Sequence, residues 1–294
     1  MRQTHNYILL TIIMLTFLFG CSNNPADPNY QKEISVFGYL WGNKRLTIDH
    51  AIFISYSQPI TDYYDLNEAA IHNAVVKITE SSTKDVYILN DTPEKPGFFF
   101  NDSLQIKPNT TYQLQVEVDG KIATASTTVP PILVIETELF ESDTVNNVIR
   151  TNLGYEKPVY LNCESENQII VVDMFCNEPY DNAEYIYPFH DEHKFPEDQE
   201  EYDGGVNGEP RRIQALVPYQ DLISDEYPGE HVVYWYSSMI VFYGSNTMQV
   251  LAIDDNYHKF IYSEHPEFSG GINGGIGVFG SVCGKIFELM VNKD

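Results

Sequence analysis

The stretch Thr111–Thr128, TYQLQVEVDGKIATASTT, decides the fold class. In its first half, apolar side chains at every second position alternate with polar ones, which is typical of a strand with one buried face. Asp119 and Gly120 follow, and a second run of strand-forming residues comes after them. Asp-Gly favours a type I′ turn, because both central residues of that turn need a positive φ. The stretch therefore predicts a β-hairpin.

The same period of two extends on both sides of this hairpin, from Glu33 to Val129. It recurs most clearly in Ala51–Tyr56 and Ala74–Thr79. About seven short strands within a hundred residues, separated by turn signals, are typical of a β-sandwich. We therefore expect an immunoglobulin-like or prealbumin-like sandwich over residues 32–130, closed by two consecutive prolines.

A second β-rich unit is expected over residues 131–294. The run Gln168–Cys176 is apolar on both faces, which indicates a central strand. Further on, Asp254 or Asp255 can cap a short helix with apolar residues at helical spacing. A long acidic insertion occupies about residues 177–212. The expected architecture is all-β, with two sandwiches, the second fibronectin-III-like and carrying the helix and the insertion.

The closing part of the chain resembles a known family. The residues that carry the resemblance are Asp254–Ile261 (DDNYHKFI), Pro266 and Gly270–Gly280 (GGINGGIGVFG). They are similar to the last motif of domain-of-unknown-function family 4249, a family of Gram-negative envelope lipoproteins. Shorter matches, such as Pro96–Phe98, occur in the same order in the first sandwich. The family has no established activity. Its members are often encoded beside TonB-dependent transporters, so the resemblance implies an accessory role in uptake.

The N-terminus reads as a lipoprotein signal peptide over residues 1–20. Arg2 precedes an apolar run, Tyr7–Phe19, which is too short for a membrane-spanning helix. Leu18–Cys21 resembles the lipobox, in which the cysteine thiol is lipidated. Cys21 would then anchor the protein through a polar tether at residues 21–31, since two or more acyl chains hold a protein stably. The alternative is an ordinary cleaved signal peptide with an incidental cysteine.

Charge and cysteine content narrow the possible partners. The chain has 42 acidic and 17 basic residues, a net charge of −25, which argues against nucleic acid or an anionic lipid surface as partner. Three cysteines follow Cys21: Cys163, Cys176 and Cys283. An exported location permits a disulfide, but an odd number leaves one thiol over. Cys163 and Cys176 could pair, or either could pair with Cys283.

The acidic insertion contains the side chains that most resemble metal ligands. His190 and His193 bracket two acidic residues, and imidazole with carboxylate suits zinc or a similar divalent metal. Asp203, Asn207 and Glu209 follow on a glycine-containing stretch, and such hard oxygen ligands suit calcium. The alternative is a solvated acidic loop, the ordinary role of a charge run.

Aromatic triplets at Phe98–Phe100 and Tyr234–Tyr236 are further candidates. Because alternate residues of a strand face opposite sides, some of these rings could be exposed and contact a sugar, a peptide or a protein. Filling both faces of a packed sandwich explains them as well.

These observations leave three functions open. The first is a non-enzymatic ligand-binding or accessory lipoprotein of a TonB-dependent uptake system, at the outer membrane and exposed on the cell surface. The second is an adhesion or structural protein of the cell surface. The third is a secreted hydrolase with dispersed catalytic residues, since the chain has neither a Gly-x-Ser-x-Gly elbow nor a His-Glu-x-x-His motif.

Replacing the lipobox cysteine tests the anchor. We expect Cys21→Ser to abolish incorporation of labelled palmitate and to release the protein from the membrane fraction, because the acyl chains need the thiol. Cys163→Ser is the matched control and should keep both label and membrane association. A Cys21→Ser protein that still carries the label would contradict the assignment.

Overall fold

The computed structural model describes residues 31–59, 65–136, 144–145, 148–151, 158–179, 182–186, 212–233, 239–240 and 242–292. These residues form a 15-stranded sheet and a 4-stranded sheet, so the predicted all-β, sandwich-like fold is confirmed. No helix among them has the length and apolar character that crossing a membrane requires.

The described residues of the first half of the chain form eight strands of the large sheet and one short α-helix. They are β1 (Ile34–Trp41), β2 (Arg45–Leu46), β3 (Ile52–Tyr56), α1 (Leu66–Ala69), β4 (Val75–Glu80), β5 (Val86–Thr92), β6 (Lys95–Gln105), β7 (Thr111–Val118) and β8 (Lys121–Thr128).

In the second half, the part of the chain that the structure describes forms eleven strands and two α-helices. They are β9 (Leu133–Glu136), β10 (Thr144–Val145), β11 (Val148–Thr151), β12 (Val159–Cys163), β13 (Ile169–Cys176), β14 (Arg212–Pro218), β15 (Ile223–Ser224), β16 (Tyr227–Val233), β17 (Gly244–Ile253), α2 (Asp255–Tyr262), α3 (Pro266–Ser269), β18 (Ile272–Asn273) and β19 (Ile276–Val291).

The predicted hairpin is formed by β7 and β8. Its turn residues, Asp119 and Gly120, have φ of 50° and 74°, as a type I′ turn requires. The Tyr56 hydroxyl donates a hydrogen bond to the Asp119 carboxylate at 2.5 Å, which raises the pKa of Tyr56 to about 12. This bond fixes the tip of the hairpin to the end of β3.

Strand β19 joins the two halves of the chain. Its first part, Ile276–Val282, pairs in parallel with β1, and its second part, Val282–Val291, pairs antiparallel with β17. The large sheet consequently runs in the order β14-β13-β17-β19-β1-β3-β6-β5-β4-β7-β8-β18. One continuous sheet thus crosses the predicted division at residues 130 and 131.

Each half has its own apolar core on one side of this sheet. The core of the first half includes Val36, Tyr112 and, from the far end of the chain, Phe279. In the second half, the 4-stranded sheet β15-β16-β12-β9 covers alternate residues of β13, such as Ile170 and Val172. The opposite side of β13, β17, β19 and β1 is partly covered by α2, whose Tyr257 belongs to one buried apolar cluster with Val171, Leu251 and Val282.

The glycine-dense segment Gly270–Gly280, which runs into β19, brings backbones close together, as expected from its sequence. Gly277 has a φ of 104°, and a Cβ at this position would collide with the carbonyl oxygen of Val36. The carbonyl of Gly270 accepts a hydrogen bond from the amide of Phe279 at 3.0 Å. Side chains at these glycines would separate β1, β19 and the preceding loop.

Candidate functional site

Strand β1 carries three aromatic residues, Phe37, Tyr39 and Trp41, which we call the aromatic stripe. Because alternate residues of a strand share a face, all three lie on the side opposite the buried Val36 and Leu40. Phe37 is 47% exposed, and the other two are half-buried. The stripe is therefore an aromatic surface on the outer side of the large sheet.

Ring contacts fix one end of the stripe against helix α2. The centroids of Tyr39 and Tyr257 are 4.3 Å apart, and Phe37 meets Phe260 edge-on at 5.8 Å. Phe37 and Tyr39 also contact each other in a T-shaped pair at 5.5 Å. Such pairs contribute about 0.5–1.5 kcal/mol beyond their buried area, so they stabilise the packing of this end of the stripe against α2.

Trp41 is contacted by two residues that lie outside β1 and α2, His50 and Lys44. The His50 ring stacks on the indole at 5.3 Å, and the Lys44 ammonium lies 5.2 Å from the indole centroid. Burial lowers the pKa of His50, and the Lys44 charge lowers it further. A neutral His50 therefore suits stacking on Trp41.

The aromatic stripe forms one wall of a cavity of about 530 Å³, which we call the outer groove. Its lining residues are Phe37, Tyr39, Trp41, Phe175, Asn177, Thr247, Gln249, Leu251, Tyr257 and Val282. Val282 pairs with Trp41, and Thr247 pairs with Glu288, six residues further along β19. At about 3.3 Å per residue, the groove extends about 20 Å along the sheet from Trp41 to Thr247.

The far end of the outer groove is polar. The Asn177 amide donates to the Thr247 hydroxyl at 2.9 Å and to the Ser245 hydroxyl at 3.1 Å. The Thr247 hydroxyl in turn reaches the Glu288 carboxylate at 3.1 Å. These bonds orient the amide and the hydroxyl, and the Gln249 side chain lies beside them on the same strand face.

The lining of the outer groove carries no charge. Within the part of the chain that the structure describes, no Asp, Glu, Lys, Arg or His belongs to it, although the chain as a whole has a net charge of −25. The groove thus offers aromatic faces, amides and hydroxyls, and it suits a neutral ligand with both apolar and hydrogen-bonding parts.

A second, smaller cavity of about 370 Å³ lies where the end of β8 meets the start of α2. Asp254, which lines it, is the N-cap of α2. Its carboxylate accepts hydrogen bonds from the amides of Tyr257 and Ser281, both at 3.0 Å, and from the Thr127 hydroxyl at 2.6 Å. Burial raises the pKa of Asp254, although these hydrogen bonds act to lower it. The carboxylate thus joins α2, β19 and β8.

The side chain of Asn256 also connects α2 to β8 and β19. Its side-chain amide donates to the carbonyl of Ser126 at 2.8 Å and to the carbonyl of Phe279 at 2.9 Å. Gly271 leaves the space that this amide occupies, since a Cβ there would collide with it. The residues of the closing motif are therefore used to seat α2 on the sheet.

Most of the predicted site residues lie outside the described residues, namely Cys21, His190, His193, Asp203, Asn207 and Glu209. Lipidation and metal binding at these positions stay predictions. Among the residues that the structure does describe, no three His, Cys, Asp or Glu side chains come together as metal ligands would.

The cysteines Cys163, Cys176 and Cys283 are buried thiols in the structure. Cys163 lies opposite Leu133 in the small sheet, and the Cys283 thiol reaches the backbone of Leu133 from β19. Burial raises the pKa of both Cys163 and Cys283, which keeps them protonated. Their pairing stays a prediction.

The family to which this chain belongs follows from a comparison with known protein families. A family model described as Domain of unknown function (DUF4249) matches residues 45–282. The chain belongs to this family. The DUF4249 match contains the closing motif and all of the groove lining except the aromatic stripe, which lies just before it. Comparison with curated proteins gives no significant match.

Of the two aromatic triplets in the sequence, the structure describes Phe98–Phe100. Phe99 is buried in the first core, and Phe98 packs against Phe53 at 4.7 Å, so this triplet serves packing. Tyr234–Tyr236 lies outside the described residues. Sequence reasoning does not identify the aromatic stripe, although its signal is present: Phe37, Tyr39 and Trp41 alternate with Val36, Gly38 and Leu40 in β1.

Asp254→Asn tests the electrostatics of the helix cap. Because folding raises the pKa of Asp254 above 3.8, the folded protein binds this proton more tightly than the unfolded chain. The stabilisation from this carboxyl is therefore greatest at low pH and falls as pH rises through its folded pKa. We expect the free energy of unfolding of the wild type, relative to Asp254→Asn, to decrease as the pH rises above about 4. Urea unfolding at several pH values measures it.

The matched control is Asp255→Asn, which removes a carboxylate whose side chain is 92% exposed. Its difference from the wild type should change little over the same range. A wild type that gains stability over Asp254→Asn as pH rises would contradict the burial of this charge.

Proposed function

We propose that this protein is a non-enzymatic, ligand-binding lipoprotein of the outer membrane, and that it serves as an accessory component of TonB-dependent uptake. The observation that carries the proposal is the outer groove, a cleft with aromatic and neutral polar walls. Its size falls within the range of small-molecule sites, and such sites are mostly apolar with a few placed polar groups.

The chemistry of the groove favours binding over catalysis. Its lining among the described residues includes no carboxylate, imidazole, thiol or amine, the groups that most often transfer protons or attack a substrate. The buried carboxylate of Asp254 lies in the other cavity, where amide and hydroxyl donors already occupy both of its oxygens.

The proposed location and the proposed partner are supported by the amino-acid sequence. The lipobox-like Leu18–Cys21 supports a membrane anchor, and a tether of about 10 residues reaches at most roughly 35 Å when extended. The groove would then stay near the membrane surface. The resemblance to lipoproteins encoded beside TonB-dependent transporters supports a transporter in that membrane as the partner.

Trp41 provides a direct test of ligand binding. The chain has two tryptophans, so Trp235→Phe leaves Trp41 as the only one. The full-length variant, in a detergent without a sugar headgroup, is titrated with amino acids, short peptides, nucleosides and neutral and acidic oligosaccharides. We expect at least one class to give a saturable change in Trp41 emission, because this residue lines the groove.

The control for this experiment is Trp41→Phe, which keeps Trp235 and should lose the response. A Trp41 signal that stays unchanged with every class of compound would show that the groove does not bind such ligands, and the proposal would fail.

The partner is tested separately by affinity purification of the full-length protein from detergent-solubilised outer membranes. We expect a TonB-dependent barrel protein to co-purify in a near-stoichiometric amount. Membranes from a strain that lacks this lipoprotein provide the background. Repeated purification of the lipoprotein alone would contradict the accessory role.

A further inference from the structure

We propose that the ligand of the outer groove is a neutral oligosaccharide. This inference rests on the proposed function and narrows it to one class of ligand. It stands on three properties of the groove: the absence of charge in its described lining, the order of aromatic and polar side chains along it, and its place on the face of a sheet.

Charge excludes several alternatives. No described lining residue is charged. The Lys44 ammonium contacts the Trp41 ring and the Glu288 carboxylate contacts Thr247 from outside the lining, and a ligand charge buried away from both would be unpaired, which is costly. The surrounding net charge of −25 would further repel an anion. A ligand that is neutral along its whole length avoids both penalties.

The order of the lining residues fits a sugar chain. The apolar C–H faces of pyranose rings pack on aromatic rings, and the aromatic stripe provides such a surface. Sugar hydroxyls both donate and accept hydrogen bonds, as do the amides of Asn177 and Gln249 and the hydroxyl of Thr247. The length of about 20 Å suits several linked sugars better than one.

A peptide fits this groove less well. Peptides usually bind sheets by adding a strand at an edge, where backbone groups are unpaired. Here the groove lies on β1, β13 and β17, and each of these strands pairs with a neighbouring strand on both sides. The sheet face therefore offers a peptide backbone only side-chain partners, and the charged peptide termini would find none of opposite sign in the described lining.

The experiment uses the full-length Trp235→Phe protein in the same sugar-free detergent. It is titrated with neutral malto-, cello-, xylo- and manno-oligosaccharides, with oligogalacturonate as the acidic counterpart, and with trialanine as a neutral-side-chain peptide. We expect a saturable Trp41 response to at least one neutral oligosaccharide, and none to oligogalacturonate or trialanine.

Two variants in the same background locate the binding site. Thr247→Val removes one hydroxyl without changing the shape of the side chain, and Gln249→Ala removes one amide. Each should weaken binding about tenfold, the effect of losing one hydrogen bond to a buried polar group. The matched control is Gln105→Ala, an exposed strand residue outside the groove, which should keep the affinity. Unchanged urea midpoints show that the variants are folded.

The outcomes separate this inference from the proposed function. A response to another class of compound, such as trialanine or nucleosides, together with none to any neutral oligosaccharide, overturns the inference and leaves ligand binding in place. A Trp41 emission that no compound changes overturns both the inference and the proposed ligand-binding function. Binding of a neutral oligosaccharide that Thr247→Val and Gln249→Ala leave unchanged also overturns the assignment to this groove.

Discussion

The pairing of β19 on both of its sides is the constraint on which the rest of the structure depends. Its first seven residues pair with β1 and its last ten with β17, so that one strand carries the sheet from one half of the chain into the other. Because this pairing fixes Val282 opposite Trp41, it also determines which side chains meet in the outer groove. The small residues of the strand matter here: Gly280 lies opposite Tyr39 and lets Tyr257 pack directly on the sheet.

Asp254 secures the helix that lies on this strand. Burying a carboxylate without partners is unfavourable, but here two backbone amides and one hydroxyl compensate for part of that loss. The effect of burial still outweighs that of the hydrogen bonds and raises the pKa of Asp254. The charged carboxylate at the cap is therefore less favourable in the folded protein than in water. Its benefit is geometric, because a single side chain fixes α2 relative to β8 and β19 and thereby holds Tyr257 at the end of the groove.

Local features of this fold could be predicted from sequence, and distant ones could not. The Asp119-Gly120 turn, the central strand β13 and the cap at Asp254 are encoded by a few adjacent residues, and the structure confirms them. The parallel pairing of β1 with β19 joins residues more than 200 positions apart, and no local pattern specifies such a register. The aromatic stripe was missed for a related reason: β1 is apolar on both faces, which by itself indicates a buried strand rather than a binding surface.

The residues of the family motif and the residues that line the outer groove have different roles. Asp254, Asn256, Gly271 and Gly277 hold the helix and the backbones of the sheet in place, and none of them lines the outer groove. The groove is lined mainly from β1, β13 and β17, which lie outside the motif. A match to the motif therefore predicts the scaffold, while the ligand is determined by outward-facing residues on three strands that the motif does not contain. Half-buried lining residues such as Trp41 and Gln249 lie outside the two cores beneath the sheet, whereas Leu251 and Val282 belong to the buried cluster against which α2 packs. The chemistry of the ligand has to be inferred from Trp41, Gln249 and their neighbours, chain by chain.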